Sequence, residues 1–528
     1  MERSELRTRA REGTFVGREP ELTYGLNALD DAVAGSSRLL LLAGEPGIGK
    51  SRLADELAQR ARRRDVRVAW GRCWEAGGAP AYWPWVQSLR AIARELGAET
   101  LRALLPPGAA EVSQLLPELG AAAATSPPAP SPQDPDAARF LLFDSVTMLL
   151  INIAAAKPLM LVLDDLQVAD TASLLLLQFA AAALGDERVL IVGTYRDQGL
   201  GRDHPLTSTL VELQREPITR LLSLRGFSED DVAHVIGAAA GIAPQPQLVR
   251  ALHAETEGNP FFVQELVRVL VEEGRLGEGA KHQSLTQPIP RSVREVIGSR
   301  LKPLTPESRA VLELASIFGR EFDVHALSRL AEHSVDSVIE QLDEPLAMGV
   351  VTRSPGGGDV LRFSHVLVRD SLHDDIGRTR RTELHHRAAE VLEILYQADP
   401  EPHLAELAHH FFEGMSWKDA AKVVTYCRRA AQAAAGLLAY EEAVRLFRMA
   451  LDATDRAGIE DPEQRCELLL ALGEAQARAG DEAGSKQTLL AAAELTKELG
   501  EPALLARAAL GYSGRLVWVR AGGDPHLI

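Results

Sequence analysis

Gly44–Ser51, GEPGIGKS, lies between an apolar run, Arg38–Ala43 (RLLLLA), and a helical pattern that continues to about Arg64. The octapeptide satisfies G-x-x-x-x-G-K-[ST], and strand–loop–helix is the setting in which that pattern cradles phosphate. Glycines let successive backbone N–H groups turn inward, and the helix N-terminus adds partial positive charge. Gly44, Pro46, Gly47, Ile48 and Gly49 would form the cradle, with Arg52 just beyond it among the nucleotide-binding residues. Lys50 would reach the β- and γ-phosphates, and the Ser51 hydroxyl would ligate Mg²⁺. A Gly-rich turn joining strand to helix is the plainer alternative.

Further apolar runs follow at Val66–Trp70, Leu159–Leu163, Val189–Thr194 and Ile218–Leu224, separated by helical patterns. Near-continuous apolar runs are expected of strands covered on both faces, and their alternation with helices predicts a parallel sheet. The fold class expected is α/β and then mostly α: a five-stranded parallel sheet followed by helical domains. In LMLVLDD the strand ends at Asp164, at the sheet's C-terminal edge, where a carboxylate can hold Mg²⁺ through water. Asp165 is the candidate for orienting or deprotonating the attacking water; a solvated Asp pair capping the next helix is the alternative. An Asp reaches less far than a Glu, which points to slow turnover. GTYRD (Gly193–Asp197) closes the fourth strand, and Thr194 and Arg196 there could sense a terminal phosphate. Arg196 as a surface residue paired with Asp197 is the competing reading.

The chain has 528 residues, 46% of them hydrophobic and 25% charged, which suits several folded domains and excludes collagen-like, disordered and disulfide-scaffold classes. Lys plus Arg is 57 and Asp plus Glu is 74, a formal charge of −17. That sign argues against a surface devoted to nucleic acid, whose binding is driven by cations releasing counterions. Cys73, Cys427 and Cys466 fit no metal-ligand spacing and suit a reducing compartment. The charged N-terminus, MERSELRTRAREG, has no apolar core of a secretory signal. MLLINIAAAKPLMLVL is interrupted by Lys157 and Pro158 before reaching the length of a membrane span. A cytoplasmic protein with no membrane partner is expected.

Leu104–Pro135 is rich in Ala, Pro and Ser and is expected to be a flexible excursion. After Gly226 the pattern becomes helical: Ser228 is a plausible N-cap and Pro260 opens a helix. Gly274–Pro290 is polar and turn-rich, a boundary. Ser292–Ser299, Pro306–Phe318, Val324–Ala331 and Val335–Met348 read as helices, and Gly349–Ser354 with Val360–Ser364 as a hairpin, together suggesting a winged helix. From Thr382 to Arg520 the chain is helical and Ala-rich. Ala443, Phe447 and Ala450 recur as Ser485, Leu489 and Ala492 after 42 residues, the spacing of small residues in stacked helix pairs. Amphipathic helices without true repeats would also give such a pattern. Trp70–Trp85 holds four of the six tryptophans; with only Arg72 beside them, a packed loop is favoured over a base-stacking platform.

FVGRE (Phe15–Glu19), GEPGIGKS, LVLDDLQVAD (Leu161–Asp170), GTYRD and GNPFF (Gly258–Phe262) together resemble the STAND class of P-loop ATPases. The likeness is to the bacterial branch of large ATP-binding regulators of the LuxR type and to the sensor ATPase of the maltose activator, well from Phe15 to His386 and loosely beyond. The resemblance implies an ATPase core at 15–225 after a tail at 1–14. It further implies a helical lid and linker at 226–285, a winged helix at 286–378 and an incomplete TPR-like α-solenoid at 379–528. It also implies ATP or ADP with Mg²⁺ as cofactors, Val16 and Arg18 beside the adenine and Pro260 closing over the base. In RFSHVLVRDSL (Arg362–Leu372), His365 would reach a bound diphosphate; a satisfied buried histidine is the alternative. Two departures stand out: Gln167 and Val168 replace the usual His and Trp of DDLHWAD, and no helix-turn-helix precedes the terminal GGDPHLI.

The function so implied is a nucleotide-controlled switch and slow ATPase in transcriptional regulation, with Lys50, Asp165 and Arg196 as its catalytic residues. ADP would keep core, lid and winged helix closed. A protein or small-molecule inducer on the helical repeats would prompt exchange for ATP and self-association. A DNA-binding initiator-like ATPase is the alternative, yet the hairpin VVTRSPGGGDVLRF offers two arginines and one Asp, so DNA binding by this chain alone is not expected. A scaffold with a relic ATP site is the third reading.

Overall fold

Leu39–Leu42 are wholly buried, as are Leu159–Leu163 and Val189–Val192, so three consecutive apolar runs form the centre of one sheet. In the computed structural model, which describes residues 15–74, 78–106, 112–116, 135–241, 243–272, 276, 297–298, 300–354, 358–415 and 420–513, these runs are parallel strands. The strands are β1 (Arg38–Ala43), β2 (Arg67–Arg72), β3 (Leu159–Asp164), β4 (Val189–Tyr195) and β5 (Thr219–Ser223), in the order β2-β3-β4-β1-β5. All four pairings are parallel. Burial follows position: β3 and β4 are buried throughout, whereas β2 alternates and β5 is largely exposed, as edge strands must be. The order brings the end of β3 beside β4, and β4 beside β1, so the loop after β1 opens next to Asp164.

The expected excursion lies mostly outside the described residues. So do the tail at 1–14, almost all of the boundary at 274–290, most of the helix at 292–299, the hairpin turn at 355–357 and the C-terminal GGDPHLI. The chain divides into two units that interleave in sequence. The first comprises Met1–Ala76, Ile153–Gln167 and Leu184–Gly377; the second comprises Gly77–Asn152, Val168–Ala183 and Arg378–Ile528.

Within the first unit the parallel sheet is followed by helices Glu229–Ala240, Pro246–Thr256 and Pro260–Glu272, which share a core of Val232, Ile236, Leu252, Val263 and Leu266. Ser228 caps the first of them in a reciprocal box with Asp231. Helices Pro306–Phe318, Val324–Ala331 and Val335–Ala347 come next, with an antiparallel sheet of three short strands, β6 (Glu321–Asp323), β7 (Val351–Arg353) and β8 (Val360–Phe363). The hairpin β7–β8 matches the sequence pattern; β6 does not, because three residues with two carboxylates carry no apolar period. It pairs Glu321 with Arg362 and Phe322 with Leu361.

The second unit holds the later part of the Trp-rich segment, where Tyr82 and Trp85 are fully buried and Trp85 Nε1 donates to the Ser173 carbonyl at 3.1 Å. Burial of these two rings serves packing. Helix Pro135–Ala156 is longer than the apolar stretch read from sequence: Ala137–Ala156 has a mean hydropathy of 1.6 and meets the length of a span, with half of that window buried in protein. Helices Ala420–Gly436 and Tyr440–Ala457 recur as Pro462–Arg478 and Glu482–Leu499, each bound displaced by 42 residues. The left-handed C-cap Gly458 recurs as Gly500. Helix pairs therefore do repeat, with a period longer than the 34 residues of a tetratricopeptide pair. All three cysteines are free and buried.

Candidate phosphate-binding site

Every residue described in this site belongs to the first unit. Gly44, Gly47 and Gly49 all have positive φ, and Gly49 ends the loop as the left-handed residue before helix Lys50–Arg63. At Gly47, φ is +82° and an added Cβ would lie 2.9 Å from Asn259 Oδ1, so both backbone and space require glycine. Lys50 is buried and folds its ammonium back onto the loop, donating to the carbonyls of Gly44 at 2.7 Å and Glu45 at 2.9 Å. Burial pulls its pKa down to about 8, and the Arg196 charge adds to that, against the opposing pull of Asp165 and Asp164. The lysine is thus a desolvated cation held at the mouth of the amide cradle.

Three strand ends meet around Asp164. Its Oδ1 accepts from Ser51 Oγ at 2.8 Å and from Thr194 Oγ1 at 2.6 Å, joining the helix after β1, the end of β3 and β4. Its Oδ2 is buried with no hydrogen-bond partner among the described residues; Arg72 Nε stands 3.7 Å away. A buried carboxylate oxygen left over beside a serine hydroxyl is a donor set that fits Mg²⁺, which takes few protein ligands and keeps several waters. No group of three or more His, Cys, Asp or Glu side chains suited to a metal occurs among the described residues.

Asp165 adopts a left-handed backbone, φ 65°, with its N–H donating to Thr194 Oγ1 at 2.9 Å. A non-Gly residue pays roughly 1–2 kcal/mol there, less for Asp. Gln167 Nε2 donates to Asp165 Oδ1 at 3.1 Å, and Gln167 Oε1 accepts from the Arg196 N–H at 3.1 Å. Gln167 therefore ties the Asp165 and Arg196 loops together. Burial and the neighbouring Asp164 raise the Asp165 pKa, and Arg320 opposes them. Arg196 itself is half-buried and acts on Lys50, Asp165 and His365 through its charge.

Of the residues implied by resemblance, Arg18 is buried, donates to the Ile48 carbonyl at 3.0 Å and lies over Phe227. Val16 packs against the core of the three following helices. Pro260 is buried at the start of its helix, and both its neighbours reach the phosphate loop: Asn259 Nδ2 donates to the Pro46 carbonyl at 3.0 Å, and the Phe261 N–H to the Gly47 carbonyl at 3.3 Å. His365 stacks on Phe261 at 4.0 Å and accepts at Nδ1 from the Leu367 N–H at 3.2 Å. Desolvation and the surrounding Arg320, Arg196, Arg300 and Lys50 push its pKa down to about 3, so it is neutral and carries its proton on Nε2. Arg52 is exposed and paired with Asp55, apart from this cluster. Sequence reasoning missed Asn259, Phe261 and Arg320; GNPFF held the signal for the first two, and nothing marked the third.

A parallel sheet of order β2-β3-β4-β1-β5, a phosphate loop after β1 and an acid at the tip of β3 define a P-loop ATPase domain. Residues 14–192 match the family model described as AAA ATPase domain. Over 398 residues the chain is 25% identical to an uncharacterized protein of Rhizobium meliloti (strain 1021), a match covering 71% of this chain and 36% of that protein. The chain thus spans about a third of the length of that curated relative. Among solved structures, a Signal Transduction ATPase with Numerous Domains (STAND) carrying a tetratricopeptide repeat sensor, from Pyrococcus horikoshii, matches at 15% identity and a TM-score of 0.47, over 95% of this chain and 66% of that one. A Walker-type ATPase of Pyrococcus abyssi matches at 13% identity and a TM-score of 0.31, over 68% and 96%.

Proposed function

We propose that this protein is an ATP/ADP switch of STAND type, a slow Mg²⁺-dependent ATPase whose nucleotide state governs self-association in transcriptional regulation. The observation that carries the reading is the junction of Ser51, Thr194 and Asp164 beside a buried, desolvated Lys50. A relic site has no reason to keep that set intact. Ser51 and Asp164 would hold Mg²⁺, which would neutralise charge on the β- and γ-phosphates. Lys50 would exchange its two carbonyl partners for phosphate oxygens, a gain in charge-assisted bonding. Asp165 would hold the attacking water, with Gln167 and Thr194 fixing its position.

The helical segment that begins at Asn259 rests on the loop's own carbonyls, so nucleotide in the cradle would be felt directly by these helices. That coupling supports population shift between two packings, with the helical repeats offering the surface for a protein or small-molecule inducer. DNA binding finds less support: Val335–Ala347, the third helix before the β7–β8 hairpin, carries Asp336, Glu340, Asp343 and Glu344 and no Lys or Arg.

Native mass spectrometry of the full chain with Mg²⁺-ADP and then Mg²⁺-ATP tests the reading. One nucleotide per subunit is expected in both, with higher assemblies in ATP, and Lys50→Ala is expected to bind neither. Undiminished ATP occupancy in Lys50→Ala would remove the site assignment, and equal subunit number in both nucleotides would remove the switch.

A further inference from the structure

We propose that Arg320 is a brake on ATP hydrolysis: it holds the Asp165 carboxylate away from the attacking water until the segment that opens β6 separates from the loop after β3. The proposal rests on the reading of Asp165 given above. Both Asp165 oxygens are engaged, Oδ1 by Gln167 Nε2 at 3.1 Å and Oδ2 by Arg320 Nη1 at 3.2 Å. Gln167 belongs to the same loop as Asp165 and moves with it. Arg320 immediately precedes β6 in another sheet, 155 residues away in sequence. Its place is fixed by that sheet: the Arg320 carbonyl accepts from the Phe363 N–H at 2.9 Å, and Glu321 beside it pairs with Arg362 across β6–β8.

The ion pair is well screened from water, since the Asp165 side chain is nearly buried and that of Arg320 is only 22% exposed. The guanidinium N–H takes one of the two acceptor directions of Oδ2 and fixes the orientation of the carboxylate, so Asp165 must leave Arg320 to turn toward a water held elsewhere. A second bridge between the same sheets, Arg72 Nη1 to Glu321 Oε1 at 3.4 Å, leaves Asp165 untouched. It provides an internal comparison. Loosening the sheets in general and releasing Asp165 in particular are thereby separable.

Steady-state and single-turnover hydrolysis by the full chain, with nucleotide affinity measured in parallel, tests the brake. Arg320→Gln is expected to raise kcat about tenfold, the size of an ordinary coupling between sites, while leaving KM and the affinity for Mg²⁺-ATP near wild type. Arg320→Lys is expected to restore most of the slow rate, and Arg320→Gln with Asp165→Asn to fall about 100-fold below Arg320→Gln alone. Glu321→Gln is expected to stay within about twofold of wild type, where an unspecific loosening would accelerate it as well. An unchanged or slower Arg320→Gln with nucleotide affinity intact overturns the brake and leaves the ATPase reading standing; a slower one would make Arg320 a phosphate contact. Equal acceleration in Glu321→Gln also overturns it. Absence of nucleotide binding in every variant and in wild type removes the reading beneath it.

Discussion

Asn259 donates from Nδ2 to the carbonyl of Pro46, across 213 residues of sequence and at 3.0 Å, while its Oδ1 accepts from the Phe261 N–H at 3.1 Å. One side chain thus caps helix Pro260–Glu272 and fastens that helix to the phosphate loop. The two roles need different chemistry, an acceptor for the cap and a donor for the loop, and the amide supplies them from its two ends. Asn259→Ala loses both and is expected to cost about 1–2 kcal/mol in thermal or chemical unfolding. Asn259→Asp keeps the cap acceptor but cannot donate to Pro46 and places a negative charge near the phosphates. It is expected to retain most of the stability yet bind Mg²⁺-ATP about tenfold more weakly, a loss of roughly 1.4 kcal/mol. Equal stability losses with unchanged affinity would reduce Asn259 to a cap.

Asp164→Asn separates charge from geometry. The amide oxygen can still accept from Ser51 and Thr194, so the junction of strand ends survives, but the anionic oxygen beside Arg72 is gone. ADP binding without Mg²⁺ is expected to change less than about threefold, while the gain conferred by Mg²⁺ disappears and hydrolysis falls about 100-fold. Calorimetric titration with and without the metal checks it. A Mg²⁺ response as large as that of wild type would place the metal elsewhere.

The two shifted groups facing the cradle predict a particular pH dependence. His365, with its pKa near 3, is neutral from pH 5 to 8 in the nucleotide-free protein. Lys50 titrates near 8 while it contacts only carbonyls. A bound triphosphate favours the ammonium and raises that value, so a proton is taken up on binding once the pH exceeds about 8. Affinity is therefore insensitive to Lys50 below pH 8 and falls above it by up to tenfold per pH unit, until the bound-state pKa is reached. Lys50→Arg, always charged, is expected to lose that high-pH decline whatever its affinity. A decline that persists in Lys50→Arg assigns the titration to another group.

How much of this was legible from sequence depends on how local each feature is. The five parallel strands were readable to within about two residues because short apolar runs such as Leu39–Leu42 are bounded closely by turn residues and alternate with helical patterns. The phosphate loop and Asp164 were readable because their chemistry sits in a handful of adjacent residues. Arg320 was not: its partner Asp165 lies 155 residues away in sequence, and the strand it precedes, β6, is three residues long with Glu321 and Asp323 in it. Gln167 registered only as a departure from the usual histidine, yet its amide bridges Asp165 and the Arg196 backbone, a task that needs donor and acceptor on one side chain. The interleaving of the two units was also invisible, since the segments at 77–152 and 168–183 show no shift in composition where the chain passes from one unit to the other.

The repeat of 42 residues makes a prediction that pits two known magnitudes against each other. Gly473 lies inside helix Pro462–Arg478, where Gly is ordinarily worth about 1 kcal/mol less than Ala. Here a Cβ would lie 2.6 Å from Leu489 Cγ, and the Gly473 carbonyl accepts from Ser485 Oγ at 2.7 Å, so the two helices meet backbone against side chain. Overpacking costs typically 1–3 kcal/mol, which outweighs the propensity gain. Gly473→Ala is therefore expected to destabilise the pair Pro462–Arg478 and Glu482–Leu499 by about 1 kcal/mol net, read as faster amide exchange across both helices. Adding Leu489→Ala opens a cavity of its own, yet it removes the clash, so the double variant should lose less than the two single losses combined. One period earlier the same places hold Ala431 and Phe447, both buried, so Ala431→Leu should loosen Ala420–Gly436 and Tyr440–Ala457 in the same way. Simple additivity at 473 and 489, or a silent Ala431→Leu, would mean that the shared spacing is an accident of Ala-rich helices rather than a stacked repeat.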